Sequence, residues 1–478
     1  MGSLKPQKPH VAMIPTPGMG HLIPFLQLAK CLVSIHGVQV TLFVPASETS
    51  ALQTLLSSLH LPGGLTLINL PTLPISDMDT DLPVHLSITV RESLTFIRSS
   101  IATSAHPPTV LIVDMFATDA FDVGDAFNMT KYLFFTSNAK VLTFIGYLPR
   151  FDQEIAGEFA ELTEPIPVPG CKPVRVDDLD DYFRDRKSGG YRFLLHHARR
   201  FNEATGILVN TFEDLEPQMF SALKDGKLLE QIPLPPVHAV GPIIRNPAPL
   251  SSENECLTWL DKHPPDSVLF VSFGGGGRSL SAEQMVELAM GLELSRQRFL
   301  WVVRPPQDKV VISANYVAES GGPNDPNGYL PEEFLRRIKG KGVGMVVGGW
   351  APQVEILGHA AVGGFLSHCG WNSTLESIVH GVPVIAWPLH AEQKMNAVML
   401  TEDLGVAVRV KIASERGGAV MGREEIERMV RLVMEGNQGK ALRSRMKQLT
   451  DGAVSSVSEG GGGSSYCSLA QLIKKWKL

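Results

Sequence analysis

The stretch "FLSHCGWNSTLES", residues 365–377, crowds a histidine, a cysteine, a tryptophan, an asparagine and four hydroxyls around one turn. The apolar run "AVGGFLS" before it is short enough for a buried strand. "STLESIVHG" then has helical spacing with Gly381 as its stop, and "VPVIAWP" reads as the next strand. Strand, helix, strand in that order is a βαβ unit, and it implies a parallel sheet. Ligands of such sheets bind beyond the carboxyl ends of the strands, where unpaired helix amides and the positive dipole end favour an anion. A capping box, Ser373-x-x-Glu376, accounts for two of the polar residues without any ligand. It leaves His368, Trp371 and Asn372 unexplained, so the turn is expected to hold a ligand, above all a phosphate.

Outward from this turn the same alternation recurs. "HVAMIP" is a strand, "TPGMG" a glycine turn, "HLIPFLQLAKCLVSIHG" a helix closed by Gly37, and "VQVTLFVP" the following strand. "TVLIVDMFATDAFDVGDAF" repeats the plan, with its strand ending near Asp114, and "KYLFFTS" and "GILVNTF" add strands. The Pro- and Ser-rich stretch "LPPVHAVGPIIRNPAPLSSENE" reads as a linker. After it come "SVLFVSFGGGGRSLSAEQMVELAMGLELS", "RFLWVVR", "GVGMVVGGWAP", the opening stretch and "EEIERMVRLVMEG". "PPQDKVVISANYVAESGGPNDPNG" interrupts this half as a long loop. The tail "SEGGGGSSYCSLAQLIKKWKL" reads as a flexible hinge before an amphipathic helix. The expected division is a first α/β domain over 1–240, a linker over 241–255, a second α/β domain over 256–458, and a terminal helix over 459–478 packing back on the first domain. Two such halves place two sets of strand ends face to face, with the active site expected in the cleft.

Composition narrows the functional classes. The 478 residues are 44% apolar and 19% charged, as in an ordinary globular protein. The net charge of −6 and the lack of a basic run make nucleic acid a poor partner, so an anion site must rely on local dipoles and hydrogen bonds. The N-terminus shows no signal-peptide core, Pro6 spoils a myristoylation motif, and no apolar run reaches a membrane span; the cytosol is the expected location. Cys31, Cys171, Cys256, Cys369 and Cys467 are scattered without a CxxC pair, which favours buried thiols over disulfides or zinc. The adjacent His196 and His197 should point apart on a helix, in solvated or structural roles. No metal site and no cofactor are expected.

The block from Trp350 to Gln393, "WAPQVEILGHAAVGGFLSHCGWNSTLESIVHGVPVIAWPLHAEQ", resembles without gaps the signature box of the plant UDP-dependent glycosyltransferases of small molecules. "PTPGMGHLIP", "ILVNTF", "LEP" and "AEQKMNAV" extend the resemblance over the chain, toward the branch that glucosylates phenols and hydroquinone. The resemblance implies a GT-B fold, two facing Rossmann-like domains with the acceptor in the first and the UDP-sugar in the second. It implies that Trp350 stacks on uracil, as a flat aromatic can, and that Gln353 and the Ala351 backbone lie near uracil and ribose. Glu376 matches the acceptor of the ribose hydroxyls, beside its capping reading. His368, Asn372 and Ser373 match groups holding the diphosphate, and Trp371, Glu392 and Gln393 match contacts to the sugar. Gln393 at the end of the box goes with a glucose donor. Relatives read "SFGS" or "SFGT" where this chain reads "SFGGGG". Gly275 thus stands in place of a hydroxyl near the α-phosphate, with a glycine-loop amide or Arg278 as substitutes, although Arg278 also reads as a solvated arginine. His390 stands where relatives tend to have an aromatic or other residue beside the sugar, and it has no assigned role.

His21, in "GMGH", opens a helix after a glycine turn. On spacing alone it reads equally as a helix-turn histidine. The resemblance assigns it as the base that deprotonates the acceptor, with Asp114 orienting it. Asp119 and Asp122 are alternatives that fall in the following helical pattern as capping or surface residues. Phe116, Phe144, Ile145 and Tyr316 match an apolar acceptor wall, and plain core packing explains each of them equally well. The combined reading is an inverting transfer of glucose from UDP-glucose to a small phenol, by a monomer, without a metal. An epimerase on this fold would need other catalytic groups, and a non-catalytic UDP-sugar binder would have no use for His21 and Asp114. A dehydrogenase is disfavoured because "PTPGMGHL" lacks G-x-G-x-x-G spacing.

Overall fold

The computed structural model describes residues 8–45, 61–71, 81–225, 234–247, 254–306, 328–410 and 420–477. The chain forms two compact units, divided at Arg245/Asn246 and again at Asp451/Gly452. The first division falls inside the stretch read as a linker. The upstream part of that Pro-rich stretch is not linker, because it contains the edge strand Val237–Ala239. The second falls inside the helix Gly436–Ser456 rather than after residue 458.

In the first unit seven parallel strands run β1 (His10–Ile14), β2 (Gln39–Val44), β3 (Leu65–Asn69), β4 (Val110–Asp114), β5 (Thr130–Phe135), β6 (Gly206–Val209) and β7 (Val237–Ala239). Their order across the sheet is β3-β2-β1-β4-β5-β6-β7. Strands β1 and β4 are continuous apolar runs because helices cover both faces of the sheet. The winding reverses between them, and their carboxyl ends diverge into a crevice there. The helix Met19–Ser34 leaves β1 through Gly18, whose φ of 99° suits glycine. It packs Phe25, Leu28 and Leu32 into a core shared with Leu469, Leu472, Ile473 and Trp476 of the last helix, Ser464–Trp476. The Gly-rich tract before that helix is a hydrogen-bonded turn rather than a hinge, with Gly463 N–H donating to the Ser458 carbonyl at 2.9 Å. A Cβ at Gly463 would overlap the backbone of Ser455 and Ser456.

The second unit has six parallel strands: β8 (Val268–Ser272), β9 (Arg298–Val303), β10 (Gly344–Gly348), β11 (Val362–Ser367), β12 (Val384–Ala386) and β13 (Ala407–Arg409). Their order is β10-β9-β8-β11-β12-β13, so the reversal lies between β8 and β11. Both units are doubly wound α/β sheets, as the alternation of strands and helices implies. Among the described residues no helix is long and apolar enough to cross a membrane.

Candidate active site

The switch point of the first unit is where His21 and Asp114 meet. Asp114 is the last residue of β4 and is wholly buried; His21 stands in the first turn of the helix after β1. His21 Nδ1 lies 2.8 Å from Asp114 Oδ2. The other carboxylate oxygen accepts the Thr16 hydroxyl at 3.0 Å and the Phe116 amide at 3.1 Å. A carboxylate accepts and does not donate, so Nδ1 carries the proton and the basic lone pair is on Nε2. Thr136 Oγ1 adds a longer contact to Nδ1 at 3.4 Å. Thr16 and Thr136 hold the pair in register. Neither stood out in the sequence, although Thr16 lies in the glycine-turn motif.

Phe116 stands edge-on between His21, at 5.9 Å between ring centroids, and His197, at 6.1 Å. It is half-buried beside the His21 ring. Phe144 is a core residue instead: it is fully buried against Phe151 and Phe183, and Ile145 is buried as well. Tyr316 lies outside the described residues.

Asp119 is neither a cap nor a surface residue. It is buried, and it accepts from Arg91 at 2.9 Å, His196 at 2.6 Å and Arg200 at 3.2 Å. Burial works against its charge, but the hydrogen bonds from His196 and Arg91 hold its carboxyl at about 2. Asp122 is exposed and paired with Arg200. Asp119, His196 and His197 lie close enough to share a metal ion. Their ligand atoms are already engaged, however, since His197 bonds Thr118 at 2.6 Å and Ser87 at 2.7 Å. The two histidine rings do not diverge as helical neighbours were expected to; their centroids are 5.0 Å apart.

In the second unit, β8 and β11 end side by side in the glycine loop after Ser272 and the turn at His368. The helix after that turn spans Trp371–Val379 and is preceded by Gly370, with no side-chain cap. The capping-box reading of Ser373 and Glu376 therefore fails, because the helix starts three residues earlier than the box requires. Both side chains are held by Gln353 instead, whose amide nitrogen donates to Ser373 at 2.9 Å and to Glu376 at 2.7 Å. Gln353 opens the short helix Gln353–Leu357, behind the buried Ala351 and the largely exposed Trp350, at 63% of its full accessibility.

His368 is buried, and among the described residues its Nδ1 has no hydrogen-bond partner. Burial, then the charges of His390 and Arg304, push its pKa down to about 3, so the ring is neutral. It is wedged against Gly274 and Gly370, where a Cβ would come within 2.7 Å and 2.5 Å of Nε2. Cys369 beside it has a φ of 64°, held by the Ser367 hydroxyl on its amide and by Asn396 Nδ2 on its carbonyl at 2.9 Å. Burial pushes its thiol up to about 12. Cys256 is also buried, whereas Cys31, Cys171 and Cys467 are only half-buried, against the expectation for all five.

Trp371 is buried at the start of the helix Trp371–Val379. Asn372 follows it in the first turn, half-buried. Glu392 precedes the helix Gln393–Val398, and Gln393 Oε1 accepts the amides of Leu389 at 2.9 Å and His390 at 3.0 Å. Gln393 thus fixes the loop that carries His390, whose ring lies against Gly277. Burial, then Arg278 and Arg304, lower His390 to about 4, so Arg278 is a near neighbour of the loop rather than a remote surface residue.

Residues 230–447 match the family model described as "UDP-glucoronosyl and UDP-glucosyl transferase". The hydroquinone glucosyltransferase of Rauvolfia serpentina is 46% identical over 476 residues, covering 98% of this chain and 98% of that protein. The chain belongs to the UDP-glycosyltransferase family. Among solved structures, TcCGT1 in complex with UDP matches with a TM-score of 0.91 and 45% identity, over 98% of this chain and 99% of that one. Phytolacca americana UGT2, complexed with UDP-2fluoro-glucose and pterostilbene, matches with a TM-score of 0.85 and 42% identity, over 98% and 100%. The fold of this UDP-glycosyltransferase is thus GT-B, and its chemistry is sugar transfer from a UDP-sugar. The second unit presents an exposed indole, a helix N-terminus and a glycine loop. The first offers a histidine with its basic nitrogen set by a buried carboxylate.

Proposed function

We propose that this glycosyltransferase moves glucose from UDP-glucose to the hydroxyl of a small phenol with inversion, giving a β-O-glucoside and UDP. The observation that carries the reading is the 2.8 Å contact of His21 with Asp114 at the switch point of the first unit. A phenol is a modest nucleophile until its proton leaves, and a neutral imidazole suits that task. The phenolic proton passes to His21 Nε2, and the Asp114 carboxylate stabilises the imidazolium. The oxygen attacks the anomeric carbon from the face opposite the diphosphate, and the bond to UDP breaks with its electron pair leaving on the diphosphate.

The donor contacts are proposed on the second unit. Trp350 stacks on uracil, with Ala351 and Gln353 beside the base and ribose and Glu376 on the ribose hydroxyls. The two hydrogen bonds from Gln353 preset Ser373 and Glu376 for this task. Asn372, Ser373, His368 and the helix amides face the leaving diphosphate; His368, being neutral, acts as a hydrogen-bond donor and not as a cation. Gly275 leaves that side of the loop to backbone amides. Trp371, Glu392 and the amide nitrogen of Gln393 meet the sugar, and Phe116 lines the acceptor side. The transfer is taken to proceed without a metal ion, so chelation should leave turnover unchanged. A hydroquinone-glucosylating relative supports a phenolic acceptor, and a solved relative holding a UDP-glucose analogue supports the donor.

Incubating the protein with a panel of phenols and either UDP-glucose or UDP-galactose tests the reading, with products followed by mass spectrometry and the anomeric proton by NMR. The expected outcome is a β-glucoside, with a higher kcat/KM for UDP-glucose. Release of UDP with no phenol conjugate, or equal use of galactose, contradicts it.

A further inference from the structure

Arg304 ends the apolar run of β9, where "RFLWVVR" gave no hint of a site. Its guanidinium reaches the glycine loop, with Nη2 at 3.2 Å from the Gly277 carbonyl and Nη1 at 3.3 Å and 3.5 Å from those of Gly276 and Gly274. These are its hydrogen bonds; among the described residues no carboxylate pairs with it. Burial lowers its pKa, and no acidic group acts in the opposite sense. A partly buried guanidinium facing only carbonyls is an uncompensated charge, which is costly unless something else supplies the anion.

The loop shows the complementary feature. Among the described residues, the amides of Gly275, Gly276 and Gly277 donate to no protein acceptor. A trans peptide points its carbonyl and its N–H in opposite directions. Fixing the carbonyls of Gly274, Gly276 and Gly277 on one guanidinium therefore turns the amides of Gly275, Gly277 and Arg278 to the other side. Gly274 and Gly277, with φ of 77° and 75°, supply the left-handed backbone that such a loop needs.

We propose that Arg304 is a positioning residue for the donor diphosphate: it clamps the glycine loop from behind, so that the loop amides face the phosphates and its own charge acts on them through the loop. This also accounts for Gly275, because a loop whose amides are aimed in this way does not depend on a side-chain hydroxyl. The proposal rests on the reading of the second unit as the UDP-sugar site.

The test is calorimetric titration of uridine, UMP and UDP into the full-length protein and its Arg304→Met, Arg304→Gln and Arg304→Lys variants. Removing the charge should leave uridine affinity unchanged and weaken UDP by about ten- to a hundredfold, with UMP intermediate and Lys restoring part of the loss. In turnover, the KM for the UDP-sugar should rise while the KM for the acceptor stays. Should Arg304→Met fail to fold, the Gln and Lys variants give the same comparison. Equal UDP affinity in all folded variants, or a loss shared equally by uridine, overturns the role of Arg304. Failure of the unaltered protein to bind UDP would instead overturn the donor-site reading itself.

Discussion

A Cβ built on Gly277 would overlap Nε2 of His390, and the φ of 75° at Gly277 disfavours any side chain there. Gly277→Ala should therefore suffer twice, once from the backbone, by about 1–2 kcal/mol, and once from the collision. The double variant Gly277→Ala/His390→Ala should recover the steric part and keep the backbone part. Denaturant titration of the four proteins of this cycle checks it. Additive losses would show that the ring moves aside without cost.

Gly275 differs from its neighbour. A Cβ there meets nothing within 4 Å, and its φ lies outside the left-handed range. Gly275→Ser should leave stability unchanged and either tighten UDP binding several-fold or leave it alone, as read by calorimetry. A well-formed hydrogen bond to a charged phosphate contributes roughly 1.5–3 kcal/mol. A clear weakening would mean that the ligand approaches the loop too closely for any side chain.

How much of this was legible in sequence depends on the interaction. Strands such as β4 and β8 were readable because their buried runs are continuous and end at glycine or polar residues. The His368 turn was readable because its composition exceeds what a helix cap needs. The capping box misled, since its spacing is satisfied by a helix that begins at Trp371 and leaves Ser373 inside the first turn. Arg304 and Asn396 were invisible because each acts on a backbone carbonyl distant in sequence, which no periodicity records. Asp119 read as a surface residue because Arg91, His196 and Arg200, which pair with it, lie on two other helices. The His21–Asp114 pairing came from resemblance, as nothing in the spacing of a helix-turn residue and a strand-end residue announces a contact.

Acid should destabilise the protein earlier than its carboxylates alone would dictate. Burial lowers His197 and His368 to about 3 and His390 to about 4, well under the ordinary 6.5. As pH falls through about 6.5, the unfolded chain binds these protons and the folded chain does not, so stability drops by up to about 1.4 kcal/mol per pH unit per histidine. Asp119, held at about 2, contributes only lower down, as its unfolded carboxyl begins to protonate near 3.8. Denaturation midpoints should fall between about pH 6.5 and about pH 4.5. His197→Gln, which keeps bonds to Thr118 and Ser87 within reach, should flatten that slope. An unchanged slope would show that His197 does not contribute in this window.

The central claim is that His21 is the base. His21→Ala, assayed with UDP-glucose and a weakly acidic phenol, should lower kcat by about 10²–10⁴. Calorimetry should give an unchanged affinity for UDP, because the residues proposed to hold UDP all lie in the second unit. Near-normal turnover by His21→Ala with that phenol would contradict the account.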